Sequence, residues 1–245
     1  MVQLDRGQTR FAQVQSFVGE VYGSGLHAKR IDSLAGATLG VMQSASLAVA
    51  LIGQARGLIT KHAIKQVDRL LSNNGIDVWD SFARWVPHQI GERRDILVAM
   101  DWTDFDHDDQ ATLALHLVTG HGRAAPLLWL TVWKDELKNQ RNVFEEYLSG
   151  AAGRTRARRL PRRHHPGRSC GFGDQKLFAY LAGLGFGYVI RFRGNIHVTA
   201  ADGTTRPAAD WVGKGDRART LLDAQVTAKG QQVGAVVYMH AKDMK

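Results

Sequence analysis

The stretch DILVAMDWTDFD, residues 95–106, determines the architecture of the second part of this 245-residue chain. Five apolar residues, 96–100, lead directly to Asp101, and a short apolar run bounded by charged residues is typical of a buried β-strand. Two further apolar runs follow, with turn residues between them: ATLALHLVTG at 111–120 and PLLWLTVW at 126–133. This pattern predicts three consecutive strands, of which the first two form an antiparallel hairpin.

The residues beyond these strands predict a mixture of helices and strands. The sequence favours helices at KNQRNVFEEYL (138–148) and DQKLFAYLAGLG (174–185), and strands at GYVIRFRGN (187–195), HVTAADGTTRP (197–207) and TLLDAQVTAKGQQVGAVVYMHAK (220–242). The expected fold class of this part is therefore α/β.

The first part of the chain has a different pattern. Between about residues 8 and 86, apolar residues recur at helical spacing with glycine-containing breaks, which predicts a domain of four or five helices over residues 1–90, followed by a second domain over 91–245. Within it, the segment 57–76 places Lys61, His62, Lys65 and Arg69 on one helix, as in a DNA-recognition helix. The alternative is the solvated face of a bundle helix. Lys61, Lys65 and Arg69 are thus candidate DNA contacts.

The composition excludes several classes of protein. Apolar residues make up 44% of the chain, yet none of its apolar runs reaches the roughly 18–20 residues of a membrane span. The start, MVQLDRGQTRF, lacks the apolar core of a secretory signal. We therefore expect a soluble, cytoplasmic protein with no membrane partner. The single Cys170 excludes an internal disulfide and a thiolate metal cage.

The net charge of +9 is concentrated in one segment, GRTRARRLPRRHHPGRSC, residues 153–170. Its seven arginines account for seven of the nine charge units, which leaves a net charge of +2 for the remainder of the chain. The overall basicity is therefore weak support for a nucleic-acid partner.

Asp101 is the first candidate for chemistry. A carboxylate at a strand end is held by the sheet yet faces solvent, which suits a Mg²⁺ ligand that keeps waters in its shell. An aspartate that simply begins a turn is the alternative. The nearby acids Asp104, Asp106, Asp108 and Asp109 lack the turn-forming glycine of a calcium loop, so they are interpreted as a solvated turn.

Three features together resemble the catalytic core of bacterial insertion-sequence transposases of the DDE type: VAMDWTDFD (98–106), PLLWLTVW followed by a helix, and GFGYVIRFRGNI (185–196). The resemblance covers most of residues 10–245. It implies a ribonuclease-H-like mixed sheet with flanking helices, preceded by a small helical DNA-binding domain. It also implies three carboxylates that hold two Mg²⁺ or Mn²⁺ ions, and DNA carrying the element's terminal repeats as the partner. A homodimer is compatible with it.

The resemblance assigns roles to individual residues. Asp101 matches the first catalytic aspartate and metal ligand, and Arg191 and Arg193 match basic positions near the DNA backbone, although solvated arginines on an exposed strand edge are an equal alternative. The family's second aspartate lies in a segment that reads Ala-Asp-Arg-Gly-Phe. Here the sequence is RSCGF, so Ser169 and Cys170 replace the aspartate and its arginine.

The metal site implied by the resemblance is thus expected to be incomplete. The third carboxylate, a glutamate on a later helix, would lie beyond Lys245. Asp174 stands at the start of a predicted helix, where it favours a capping role, and His164 and His165 lack ligand-type neighbours at a useful spacing. Because two-metal chemistry needs several carboxylates to fix both ions, productive metal binding is not expected and the core is predicted to be incomplete.

The missing aspartate falls in the arginine-rich segment, where a family member would have an apolar strand. Residues 163–169, RHHPGRS, can be encoded by nucleotides that, read one base later, give Val-Thr-Ile-Leu-Ala-Asp-Arg. Our hypothesis is that compensating frame changes replaced the fourth core strand, which makes residues 149–170 an atypical segment expected to form a mobile loop. The alternative is a functional basic arm.

The predicted function is DNA cut-and-paste transposition by family, through metal-dependent strand cleavage and transfer, with this copy inactive. The alternative is a catalytically dead DNA-binding inhibitor of the intact transposase. A third hypothesis is a degenerate product without function.

Overall fold

The computed structural model describes residues 10–54, 59–93, 95–120, 124–156, 164–167, 175–190, 192–212, 217–227 and 230–239, with 153–156, 164–167 and 175 described by their backbone alone. The chain divides after Gly91 into two compact units. We call residues 1–91 the helical unit and residues 92–245 the sheet unit.

The helical unit contains five helices among its described residues: α1 (Phe11–Tyr22), α2 (Ala28–Ser44), α3 (Val49–Gln54), α4 (Thr60–Leu71) and α5 (Val78–Ile90). The helices predicted from the apolar spacing near residues 11–21 and 58–71 are present as α1 and α4. The helix α5 begins at Asp77, whose side chain accepts hydrogen bonds from the backbone N–H groups of Trp79 and Asp80, and this satisfies donors that the first helical turn leaves free.

The core of the helical unit follows from the spacing of its apolar residues. Val14 and Val18 of α1 face Ile31, Ala35 and Leu39 of α2, and all five are at most 7% exposed. Residues separated by three or four positions share one helix face, so each of the two helices buries one apolar stripe against the other. In the same way, α4 buries Ala63 and Val67 and leaves Lys65 and Arg69 exposed.

The sheet unit contains eight strands and two longer helices among its described residues: β1 (Ile96–Phe105), β2 (Gln110–Val118), β3 (Ala124–Trp133), α6 (Arg141–Arg156), β4 (His164–Gly167), α7 (Gln175–Gly183), β5 (His197–Thr199), β6 (Thr205–Pro207), β7 (Arg219–Val226) and β8 (Gln231–Tyr238). They form two four-stranded sheets. The α/β class predicted from the sequence is therefore confirmed.

The first sheet has the strand order β3-β2-β1-β4. The strands β1, β2 and β3 form an antiparallel meander in which Asp101 lies opposite Ala114. The short strand β4 lies on the other side of β1 and runs parallel to it, and the last pair in this register is Ala99 with Gly167. Asp101 thus lies two residues beyond the parallel pairing.

One face of the first sheet is buried beneath α6. Leu113 of β2, Leu128 of β3 and Leu148 of α6 are at most 1% exposed, and buried and partly exposed residues alternate strictly along β2. This period of two is the one that an apolar sheet face requires. Burial of each such side chain contributes roughly 1.5–3 kcal/mol.

The expectation of a loop over residues 149–170, with its core strand missing, is wrong where the structure describes this segment. The helix α6 continues to Arg156, and residues 164–167 form β4. The backbone N–H and C=O groups along an open edge of β1 need partners whatever side chains the partner carries. Pro166 is compatible with this position because β4 is at the edge of the described sheet. Ser169, Cys170 and Asp174 lie outside the described residues.

The second sheet has the order β6-β5-β7-β8 and is entirely antiparallel. Its core contains Val198, Ala224 and Trp211, and Phe178 of α7 packs into the same cluster. Since α7 also contacts α6, the two long helices connect the two sheets of this unit.

The prediction of a strand over residues 187–195 is wrong for its described part. Residues 187–190 and 192–193 carry no strand, although Tyr188, Ile190 and Phe192 all pack against the core cluster of the second sheet. These three alternate residues pack on the core as one side of the segment. Such packing produces the alternating pattern of a strand without requiring hydrogen bonds to a neighbouring strand. Consequently Arg193 is exposed but not on a strand, and Arg191 lies outside the described residues.

Candidate nucleic-acid interface

A basic groove lies between α2 and α4 on the helical unit. Its volume is about 500 Å³, and its lining consists of Lys29, Arg30, Ser33, His62, Lys65, Gln66, Arg69, Leu70 and Asn73. We call it the α2–α4 groove. Four of these side chains carry a permanent positive charge, and the described lining includes no carboxylate. The groove therefore offers several charged donors to an anion.

The wall formed by α4 follows from helical geometry. Ala63 and Val67 of α4 are buried in the helical unit, while His62, Lys65 and Arg69, spaced by three and four residues, line the groove. Such spacing brings side chains together along one helix surface. Burial of the apolar stripe thus fixes which basic residues face α2.

The opposite wall comes from the first turn of α2, which contains Lys29 and Arg30. The helix begins at His27, whose Nδ1 accepts a 3.3 Å hydrogen bond from the Lys29 backbone N–H. Lys29 and Arg30 are far from Lys65 and Arg69 in the sequence. The packing of α2 against α4 brings the two pairs to the same groove.

The Arg30 guanidinium lies against Gly75, in the space that a side chain at residue 75 would occupy. A β-carbon built on Gly75 would overlap the Arg30 guanidinium. The turn that carries Gly75 is closed by two hydrogen bonds: the Asn73 side-chain oxygen accepts from the Gly75 N–H at 3.0 Å, and the Asn73 carbonyl accepts from the Ile76 N–H at 2.9 Å. Arg30 therefore lies over a hydrogen-bonded glycine turn at the rim of the groove.

The positive charges of the groove have no ion-pair partner within the part of the chain that the structure describes. No salt bridge among the described residues joins Lys29, Arg30, Lys65 or Arg69 to a carboxylate. The acid nearest in sequence to the α2 pair, Asp32, accepts a hydrogen bond from Gln15 instead. Cations that converge on a recess raise the local potential and attract anions.

Two of the four cations that line the groove were predicted from the sequence. Lys65 and Arg69, predicted as DNA contacts, line the groove, whereas Lys61 is exposed on α4 outside it. Lys29 and Arg30 were missed, although their adjacent positions in HAKRID (27–32) are a signal that a search for basic pairs would find. Arg193 belongs to the sheet unit and is exposed there.

Asp101, the candidate catalytic and metal-binding residue, is exposed on β1. Its side chain accepts a 3.0 Å hydrogen bond from the backbone N–H of Trp102. No group of three or more histidine, cysteine, aspartate or glutamate side chains suited to a metal ion occurs in the part of the chain that the structure describes. Among the described residues, Asp101 is therefore not part of a ligand set of the size that the two-metal site implied by the resemblance would need.

The acidic turn after β1 is occupied by ion pairs. Lys134 contacts Asp106, and this hydrogen bond raises the pKa of Lys134. Arg141 lies 3.5 Å from Asp104. Asp106 in the turn and Asp104 on β1 thus have the cationic partners Lys134 and Arg141. The interpretation as a turn is wrong for Asp104, because β1 extends to Phe105 and pairs Asp104 with Ala111.

Comparison with known proteins gives little guidance. No protein-family model matches the chain, and no curated protein sequence matches it. Two crystal structures of Marinitoga piezophila Argonaute are similar to it. The complex with a 5′-OH guide RNA has 10% identity and a TM-score of 0.31, and the match covers 79% of this chain and 30% of that chain. The complex that also contains target DNA has 9% identity and a TM-score of 0.29, with 78% and 30% covered.

This chain thus spans less than a third of the length of the Argonaute chains it matches, and scores of this size do not establish a common fold. Separately, none of the described helices is both long enough and apolar enough to cross a membrane.

Proposed function

We propose that this chain is a DNA-binding protein of the DDE transposase type, in which the helical unit binds DNA and the sheet unit is a catalytic core unable to cut DNA by itself. The observation that carries the proposal is the α2–α4 groove, where four cations converge without an acid in the described lining. Lysine and arginine side chains that neutralise phosphates gain affinity by releasing condensed counterions. Duplex DNA is the partner that the resemblance supplies.

The first sheet supports the transposase assignment. The resemblance rests on the order strand, aspartate, two further strands, helix and fourth core strand, and the sheet unit has β1 with Asp101, β2, β3, α6 and β4 in that order. The last described pair of the parallel register between β1 and β4 is Ala99 with Gly167, two residues before Asp101. In the transposase alignment that we propose, the family's second aspartate corresponds to Ser169, which follows β4 in the sequence.

The chemistry proposed for this copy is limited by its carboxylates. Divalent metal ions, when bound in such a core, activate the attacking oxygen and stabilise the leaving oxygen. Asp101 can supply one ligand, and its interaction with the Trp102 N–H fixes the carboxylate but adds no second ligand. Since no matching group accompanies it among the described residues, the proposed activity is DNA binding without strand cleavage.

The alternative function, an inhibitor of an intact transposase, is favoured by two observations on the described residues: the helical unit has a groove with four cations and no acid in its lining, and no group of three or more metal-type ligands accompanies Asp101 in the sheet unit. Such a protein would occupy the terminal repeats of the element and exclude the active enzyme. It makes the additional prediction that the chain competes with an intact transposase for the same DNA.

Binding to labelled duplex DNA, measured by fluorescence anisotropy, tests the proposal. The purified chain is expected to bind, and the double variant Lys65→Gln/Arg69→Gln is expected to bind roughly tenfold more weakly, since it removes two phosphate partners. Lys138→Gln is the matched control because Lys138 is an exposed lysine of the sheet unit, whereas the proposal places DNA binding in the helical unit. Equal affinities for the wild type and the double variant would refute the role of the groove.

A nicking assay on supercoiled plasmid with Mg²⁺ or Mn²⁺ tests the second half of the proposal. No cleavage above that of an Asp101→Asn variant is expected. Metal-dependent cleavage that Asp101→Asn abolishes would show that the core is active and that ligands outside the described residues complete it.

A further inference from the structure

We propose that the α2–α4 groove is a clamp for the sugar-phosphate backbone of one nucleic-acid strand, with Arg30 positioned by Gly75, and that it does not read base sequence. The inference rests on the proposed function and specifies which part of the nucleic acid enters the groove. Its first support is shape. The groove is a recess between two helices, whereas direct reading of base edges requires an element that protrudes into the DNA groove. A phosphate ridge projects from the duplex and can enter a recess.

The chemistry of the lining gives the second argument. Asparagine and glutamine are the residues that read adenine with paired hydrogen bonds, and the lining contains Asn73 and Gln66. However, the Asn73 oxygen is already bonded to the Gly75 N–H at 3.0 Å, so this amide cannot offer both of its groups to a base. Gln66 and the four cations remain, and the cations, which are the majority, match phosphate oxygens as acceptors.

The third argument concerns Arg30, which differs from the other cations in being half-buried. Its guanidinium lies where a β-carbon of residue 75 would be, so the glycine provides the flat surface on which it rests. A guanidinium held in one orientation loses less conformational freedom when it binds phosphate through two hydrogen bonds. Gly75 is thus a positioning residue for the clamp.

The salt dependence of DNA binding tests the clamp, with two duplexes of unrelated sequence as probes. Each neutralised phosphate contributes about 0.9 to the slope of log K against log salt concentration. We expect Arg30→Gln, Lys65→Gln and Arg69→Gln each to reduce the slope by about 0.9, equally on both duplexes. Lys138→Gln, at an exposed lysine of the sheet unit, is expected to leave the slope unchanged.

Gly75→Ala tests the positioning role, because it leaves every charge in place. It is expected to reduce the slope as Arg30→Gln does, and the double variant Arg30→Gln/Gly75→Ala should match Arg30→Gln alone. Gly19→Ala is the control, since a β-carbon at Gly19 meets nothing within 4 Å. Far-UV circular dichroism establishes that each variant is folded. If Gly75→Ala unfolds the chain, the Arg30→Gln slope still decides the clamp.

The outcomes separate the two proposals. If the groove variants change the preference between the two duplexes but leave the slopes intact, the groove reads sequence and the clamp is refuted while DNA binding stands. If Gly75→Ala keeps the wild-type slope, the positioning role of Gly75 is refuted. If the wild-type chain binds neither duplex, the proposed function fails and the clamp with it.

Discussion

The indole nitrogen of Trp102 donates a 3.0 Å hydrogen bond to the carboxylate of Glu145, which joins β1 to α6. Glu145 is only 5% exposed. Arg141, one turn earlier on α6, places its guanidinium carbon 5.2 Å from the centre of the Trp102 ring and also contacts Asp104. Three contacts therefore join the end of β1 to the start of α6: a hydrogen bond, a cation–π contact and an ion pair.

This arrangement predicts that Glu145→Ala destabilises the sheet unit by about 1–3 kcal/mol, because the partly buried indole N–H of Trp102 loses its hydrogen-bond acceptor. Glu145→Gln keeps a carbonyl oxygen there and is expected to lose less. Urea unfolding measures both variants, and Glu146→Ala, one position away, is the control. A Glu145→Ala protein as stable as the Glu146→Ala control would contradict the role of this bond.

The core of the first sheet predicts a large effect at Leu113. This side chain is fully buried on the central strand β2, so Leu113→Ala should destabilise the sheet unit by about 2–5 kcal/mol through lost burial and the cavity left behind. Leu222 on β7 is 65% exposed, and Leu222→Ala should change stability by no more than about 0.5 kcal/mol. Thermal or urea unfolding compares the two substitutions, which remove the same atoms. Similar losses at both sites would mean that Leu113 does not lie in the core described here.

The packing of α3 on α4 depends on Gly53. A β-carbon at Gly53 would overlap the backbone and β-carbon of Ala63, so Gly53→Ala should force the two helices apart at a cost of about 1–3 kcal/mol. At Gly19, where a β-carbon meets nothing within 4 Å, the same substitution should stabilise α1 by about 0.5–1 kcal/mol, since alanine loses less backbone entropy in a helix. Opposite shifts of the unfolding midpoint are the expected result, and shifts of the same sign would argue against the close approach.

Tyr238 predicts a dependence of stability on alkaline pH. The side chain is 6% exposed, its hydroxyl has no hydrogen-bond partner among the described residues, and burial raises its pKa to about 12. The unfolded chain ionises a tyrosine near pH 10, so the folded state holds this proton longer. The stabilisation is intact below about pH 10 and is lost as the pH rises towards 12.

The measurement for Tyr238 is the urea midpoint as a function of pH, together with tyrosinate absorbance. Tyr238→Phe removes an unpartnered buried hydroxyl, so it is expected to be at least as stable at neutral pH and to lose less stability under alkaline conditions. A wild-type midpoint that does not move between neutral and alkaline pH would show that the hydroxyl is not buried as described.

Much of the local structure could be predicted from the residues alone. The strict alternation in β2 and the apolar stripe of α4 are local patterns with a fixed period, and both elements are present. The pattern at Tyr188, Ile190 and Phe192 has the same period but no strand, because burial of one side of an extended segment also produces alternation. Periodicity reports which side faces a core and does not report whether a neighbouring strand completes the hydrogen bonds.

The candidate site shows the same division. Lys65 and Arg69 were predicted because they are on one face of one helix, a relation that sequence spacing fixes. Lys29 and Arg30 join them only through the packing of α2 against α4. The small size of Gly75 matters only because the Arg30 guanidinium lies against it. Such relations depend on which helix faces which, and no short-range pattern encodes them.

The sequence by itself determined the helical first part, the three consecutive strands that follow it and the concentration of charge in residues 153–170. Tertiary structure decided that His164–Gly167 pairs with β1 and that four cations from two helices converge on one groove. The physical reason is that propensity and periodicity act over a few residues. Strand pairing and helix packing instead satisfy backbone groups and bury apolar surface between segments far apart in the chain.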